Sequence, residues 1–269
     1  MGEETIQGSE EKAFLELSSS QLKMIAIVAM FLDHVAYVFV PGGLWLHSLM
    51  RTIGRITGPV MFYLLVEGYH HTKNFKKYAF RLALFAVISY VPFIWCFMGA
   101  LPNIYNYYHL NVMYTLLLGL LLLWVKHHVE NLVLRLALIV LLFYCSLIGD
   151  WFFLGLFMVV IFDQFRDRPK IKWSLYLIIL FALSFIEKLD TIRYIVEQMV
   201  SIPNSSQYIL DVLRIIFLPE LGLLLPMFLL WFYRGKRGKT TKASKWAFYI
   251  FYPVHLMAII VVRFIIYQR

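Results

Sequence analysis

The residues with the most chemistry lie where they cost the most to keep. Asp33 and His34 sit late in an apolar run, MFLDHVAYVF, with no Lys or Arg nearby in sequence. An ionisable group inside such a run costs about 2.5–3.5 kcal/mol to insert into a membrane, so it usually faces a bundle interior or an aqueous cavity. A buried His with a carboxylate that holds its tautomer is a general-base arrangement. Adjacent helical residues diverge by about 100°, so Asp33 orients something other than His34, and another acid or a carbonyl must orient His34.

Arg51 and Arg55, four apart in RTIGRITGP, would share one helix face and clamp a carboxylate or phosphate, or neutralise Asp33. Pro59 has no amide for the carbonyl of Arg55, which leaves an acceptor free in a cavity wall. Gly54 and Gly58 make a G-x-x-x-G step, read as packing within the bundle. Glu67 lies near the end of the same run, followed by His70-His71; with no spaced ligand set in view, that pair predicts no metal. Lys77 and Arg81, one turn apart, suit either a phosphorylated cofactor or ordinary membrane-surface anchoring. Asn111 and Thr115 repeat the four-residue spacing, Asp150 stands at a helix boundary, and His255 follows Pro253 in the last apolar run.

The elements that must position these groups are membrane helices. Of 269 residues 61% are hydrophobic and 15% charged, with mean hydropathy +0.72, more apolar material than a soluble core of this length needs. Runs of the length a spanning helix requires, about 20 residues, fall near Leu22–Val40, Leu49–Tyr69, Tyr78–Met98, Leu110–Val125, Leu132–Ile148, Trp151–Phe162, Trp173–Ile186, Val212–Tyr233 and Trp246–Ile266. The expected fold is therefore all-α, a polytopic helical bundle of about nine spans, with the sixth and seventh short. Residues 1–21 read as a polar amino-terminal segment and 22–269 as a single transmembrane domain.

Basic residues mark every second loop: Lys73, Lys76 and Lys77; Lys126; Arg166, Arg168, Lys170 and Lys172; and the run from Arg234 to Lys245. The positive-inside rule then puts the amino terminus and these loops in the cytoplasm and the carboxyl terminus outside, in a multi-pass plasma-membrane protein. The segment Lys188–Asp211, with Asp190, Arg193, Glu197 and the glycosylation-like Asn204-Ser205-Ser206, becomes the long outer loop. The formal charge of +9 belongs to topology and not to nucleic acid, because the cations form no basic domain. The glutamate-rich start, Glu3, Glu4, Glu10, Glu11 and Glu16, predicts no cleaved signal peptide. Cys96 and Cys145, both inside apolar runs, support neither a disulfide framework nor a metal knuckle. No phosphate loop, nucleophile elbow or zinc-protease helix is present.

Five ordered pieces, LKMIAIVAMFLDH at 22–34, RTIGRITGPVMFYLLVEGYHHTKNFKKYAFRL at 51–82, NVMYTLLLG at 111–119, DWFFLG at 150–155 and FYIFYPVHL at 248–256, resemble the TraX family. They are more distantly similar to membrane acyltransferases of the acyltransferase-3 type. The resemblance implies acetyl transfer from acetyl-CoA to an amine or hydroxyl acceptor, a pilin-like peptide or a surface glycan. It implies that His34 is catalytic beside Asp33 and that Lys77 and Arg81 bind the cofactor, a Lys standing where the wider superfamily usually has Arg. Arg51, Arg55, Glu67, Asn111, Asp150 and His255 would organise the site. A transporter or flippase using intramembrane Asp, His and Arg is the rival reading.

Overall fold

The computed structural model describes residues 16–103, 108–187, 189, 193, 217–238 and 241–267, and among these the regular structure is entirely helical. The helices are α1 (Ser19–Phe39), α2 (Trp45–Gly54), α3 (Thr57–His71), α4 (Phe75–Ile88), α5 (Tyr90–Met98) and α6 (Val112–His128). They continue as α7 (Leu132–Ser146), α8 (Phe152–Gln164), α9 (Pro169–Glu187), a 3-10 turn Gly222–Leu224, α10 (Leu225–Trp231) and α11 (Lys242–Tyr267). Most of the expected outer segment 188–211, including Asp190, Glu197 and Asn204, lies outside the described residues.

Nine full crossings are not what the described helices establish. α1 and the Lys245–Tyr267 part of α11 are each long and apolar enough to cross a membrane, and α4 with α5, bent by 43°, makes a third if counted as one span. Val112–His128, Leu132–Ser146, Phe152–Gln164 and Phe217–Trp231 are shorter apolar helices. Prolines cause two of the interruptions. Pro59 cannot bond the carbonyl of Arg55, and the expected span Leu49–Tyr69 divides there into α2 and α3, with Ile56 N–H bonding back only to Ile53 O at 3.1 Å. Pro92 likewise leaves the carbonyl of Ile88 without its donor, and the chain bends at Ser89 between α4 and α5. Pro253, by contrast, is absorbed inside α11.

Side-chain caps set the helix starts. Ser18 and Gln21 form a capping box on α1, Asn74 accepts from Lys77 N–H at 2.9 Å, and Asn131 accepts from Leu134 N–H at 3.0 Å. Asn111 caps α6 through Met113 N–H at 3.0 Å, while its Nδ2 donates 2.8 Å to Ala86 O just before the α4–α5 bend. That bond satisfies backbone which the bend would otherwise leave bare.

Glycines bring α3, α6 and α8 together. A Cβ on Gly58 would lie 2.2 Å from the Trp151 ring, one on Gly155 2.6 Å from Phe62, and one on Gly119 3.0 Å from Val159, so each glycine admits a neighbour's side chain. Phe62, Leu120, Leu156 and Val159 are buried in the core these helices share. The outer faces are the reverse of a soluble protein's. Val133, Val140 and Tyr144 of α7 and Trp246, Val254 and Phe264 of α11 are exposed apolar side chains, and Ser146 is the one buried residue of α7. A girdle of this kind needs lipid against it.

Candidate active site

Two features meet inside the bundle: a buried histidine pair and a cavity with cationic walls. His34 of α1 and His255 of α11 join Nδ1 to Nε2 at 2.8 Å, and His255 Nδ1 lies 2.9 Å from Phe251 O one turn back on its own helix. The ring planes are 16° apart with centroids 5.0 Å apart, the geometry of rings linked edge to edge through nitrogen. A carbonyl only accepts, so His255 Nδ1 carries a hydrogen; neutral His255 then offers the Nε2 lone pair, and His34 Nδ1 must donate to it. Neutral His34 is left with its lone pair on Nε2, the atom a general base uses. Phe97 meets the His34 ring edge-on at 4.9 Å and Phe251 stacks on His255 at 4.8 Å, which keeps water from the shared bond.

Asp33 turns away, as its helical position requires. Its Oδ2 pairs with Arg51 Nη1 of α2 at 2.8 Å, and Gly54 makes room for it: a Cβ there would lie 2.3 Å from Asp33 Oδ1. Arg51 also lies over Tyr37 at 5.5 Å. Arg55, beyond the end of α2, pairs instead with buried Glu220 at 3.1 Å, so the two arginines do not form a joint clamp. Glu220 is held there because Gly222 approaches the backbone of α2, where a Cβ would lie 2.0 Å from Thr52 O. Asp150 is exposed in the turn before α8, yet its carboxyl lies in the field of Asp33, Arg51 and Arg55. Phe152 closes that turn with φ 39, a left-handed conformation costly for a residue with Cβ. Asn111 is committed to the cap and to Ala86 O.

The cavity, about 380 Å³, opens near the start of α1, the ends of α3 and α10 and the starts of α4 and α11. Lys23, Arg81, Arg237 and Lys245 line it, with Ser19, His71, Thr72 and Tyr78 between them; deeper in come Met30, Leu65, Val112, Leu116 and Tyr252. Glu67 is the carboxylate among the lining residues, and Arg166 pairs with it at 3.0 Å. Among the described residues the positive charge of the wall therefore has no internal counterweight. The Arg81 guanidinium spans the Tyr78 and Tyr249 rings at 5.6 and 5.8 Å, and among the described residues its buried Nε has no hydrogen-bond partner. A buried donor in that state calls for an acceptor from a ligand. Met30 and Tyr252 lie one helical turn from His34 and His255, so the apolar end of the cavity stops just short of the pair. The volume and the division into cationic mouth and apolar throat suit a ligand with an anionic head and a thin apolar arm.

Of the residues singled out from sequence, the structure joins His34 to His255 and Asp33 to Arg51, and sets Arg81 and Glu67 in the cavity wall. It leaves Lys77 exposed and off the lining. Lys23, Arg237, Lys245 and Tyr252 line the cavity and Glu220 pairs with Arg55, and none of the five stands out by motif in the sequence. Lys23 has a legible signal, a cation near the start of the first apolar run, whereas Arg237 and Lys245 look like ordinary loop charges.

The profile of the TraX protein family matches residues 18–263. A curated relative from Dichelobacter nodosus, described as a probable fimbrial assembly protein, FimC of serogroup H1, is 32% identical over 251 residues, covering 90% of this chain and 94% of that one. No solved structure matches the chain.

Proposed function

The chain belongs to the TraX family, and from that premise we propose that it is a membrane-embedded acetyltransferase. It would carry an acetyl group from acetyl-CoA to an amine or hydroxyl of an acceptor displayed at the cell surface, a pilin-like peptide or a glycan. The relative's association with fimbrial assembly favours the peptide.

The observation that carries this reading is the Phe251 carbonyl–His255–His34 chain set beside the cationic cavity. Lys23, Arg81, Arg237 and Lys245 would hold the phosphates of the donor, and the apolar throat its thioester arm. The basic end would face the cytosol, where that donor is found. An acceptor N–H or O–H gives its proton to His34 Nε2 as the nucleophile attacks the thioester carbonyl. The imidazolium is stabilised by His255, which accepts from Nδ1. The same proton then passes to the departing thiolate, so the products are the acetylated acceptor and the free thiol, with His34 restored. A positioned base contributes typically 10²–10⁴-fold to such a step.

The test uses the full chain purified in detergent, with labelled acetyl-CoA, free CoA and ATP as ligands. Wild type should bind acetyl-CoA in preference to ATP, Arg81→Ala should weaken that binding, and His34→Ala should bind normally but not transfer the label. Folded wild type that binds no acetyl-CoA would refute the reading and favour a transporter built on the same intramembrane charges.

A further inference from the structure

A second cluster of titratable groups lies at the basic end, outside the cavity described above. Three helix ends converge there: α3 brings His70, α6 brings Lys126 and His127, and α8 brings Asp163, whose side chain is 2% exposed. His70 Nε2 lies 2.7 Å from Asp163 Oδ1, and His127 Nε2 2.9 Å from Oδ2. One nitrogen from each histidine and one carboxylate oxygen all fall within 4.8 Å of one another.

The neighbouring histidines show that this convergence is selective. Each of the two His-His pairs divides its labour. His71 Nδ1 bonds Glu67 O at 2.8 Å and His128 Nδ1 bonds Trp124 O at 3.2 Å, both back into their own helices. His70 and His127 instead aim Nε2 at the same carboxylate. A shallow cavity of about 410 Å³, lined by His70, His127, His128, Tyr69, Trp124 and Lys73, opens onto the cluster and gives an ion a route in from solvent.

We propose that His70, His127 and Asp163 form a binding site for a divalent transition metal of the zinc and cobalt class, with water in the fourth position on the cavity side. Two imidazoles and a carboxylate are a ligand set for these ions; bonds of about 2.0–2.2 Å to each place the ligand atoms about 3.4 Å apart, so the widest separation must close while the 2.7 and 2.9 Å contacts to Asp163 open slightly. Lys126 Nζ, 2.6 Å from Asp163 Oδ2, occupies the carboxylate's second oxygen. It stays there as an outer hydrogen-bond partner or swings to solvent, being 24% exposed. The metal would tie the ends of α3, α6 and α8 together on the face where the donor cavity opens. The competing account is an ion-pair hub, one carboxylate shared by three donors, which needs no ion.

The experiment uses full-length protein carrying no histidine tag, stripped with chelator and titrated with Co²⁺. The readouts are the visible absorption of bound cobalt and the metal retained after gel filtration. One equivalent should bind, and His127→Gln, which can still hydrogen-bond Asp163 but ligates poorly, should weaken binding at least about 100-fold, since losing even an outer-shell partner costs 10–100-fold. His71→Ala should bind as wild type does. Asp163→Asn should abolish binding; if it misfolds, His127→Gln and His70→Gln, checked by gel filtration, decide the matter. No retained metal in wild type, or equal binding by wild type and His127→Gln, overturns the proposal and leaves the ion-pair hub. Neither result depends on acetyl transfer.

Discussion

Replacing His255 with Phe tests the histidine relay with little change in shape. The ring volume between Phe251 and Tyr252 is nearly kept, while the 2.8 Å bond to His34 is lost. His34 Nδ1 becomes a buried donor without an acceptor, a penalty of about 1–3 kcal/mol. That same energy is what held the hydrogen on Nδ1, and without it the ring is free to place the hydrogen on Nε2, where it cannot act as a base. At 1.36 kcal/mol per tenfold in rate, the acetylation rate should fall by about 5- to 150-fold. Removing the base altogether in His34→Ala should cost 10²–10⁴-fold. His255→Gln supplies a carbonyl oxygen near the old Nε2 and should recover most of the loss. The assay is incorporation of labelled acetyl from acetyl-CoA into membranes expressing each variant, with thermal denaturation of the purified protein as the check on folding. A His255→Phe protein that works as fast as wild type would refute the relay. So would a Gln variant as slow as Phe with an unchanged melting temperature.

Three further predictions concern the frame around the site. Gly54→Ala places a Cβ 2.3 Å from Asp33 Oδ1 and should destabilise by about 1–3 kcal/mol through overpacking, and adding Asp33→Ala should recover part of it. Strict additivity in thermal denaturation would show that Gly54 is not there for Asp33. Gly222→Ala, aimed at Thr52 O at 2.0 Å, should be far more damaging than Gly42→Ala, which meets nothing within 4 Å, and comparing their melting temperatures measures the contrast. Lys236 beside Glu16 holds that carboxyl below its ordinary value of 4.5. A carboxylate with a lowered folded-state pKa contributes fully above its unfolded value and loses that contribution as pH falls through the folded one. The protection factor of the Leu17 amide, bonded to Phe232 O at 3.0 Å, should therefore hold at neutral pH and fall only below 4.5, once the rate is corrected for the pH dependence of intrinsic exchange, and Lys236→Met should remove this dependence.

The helical character, the apolar exterior and the burial of His34 were legible because each depends on residue type and local spacing. That something other than Asp33 orients His34 follows from helix geometry alone, but the expected acid or carbonyl is replaced by an imidazole, that of His255 at 2.8 Å. The partner itself, His255, was named only as a site organiser, since 221 residues separate the two and no local pattern encodes their contact. Of the two roles open to the arginines, Arg51 takes the neutralisation of Asp33 at 2.8 Å, while Arg55, still bonded through its N–H to Arg51 O at 3.1 Å, turns to Glu220, a partner 165 residues away that no local spacing encodes. Pro59, which in the sequence frees a carbonyl, also marks where that span divides. Asp163 is illegible from sequence, because one acid at a helix end looks like a surface charge until two histidines from other helices are set beside it. The expected spans were ruled by length, whereas the helices end where prolines and capping asparagines end them.

The distance between His34 and His255 along the chain also bears on biosynthesis. α1 is among the first helices to leave the ribosome and α11 is the last described, so for most of translation His34 has no Nδ1 partner. The cavity wall is likewise incomplete until Arg237 and Lys245 have been made. Under the acetyltransferase reading proposed above, a nascent or prematurely terminated chain would be inert, and competence to react would arrive in one step when α11 docks beside α1.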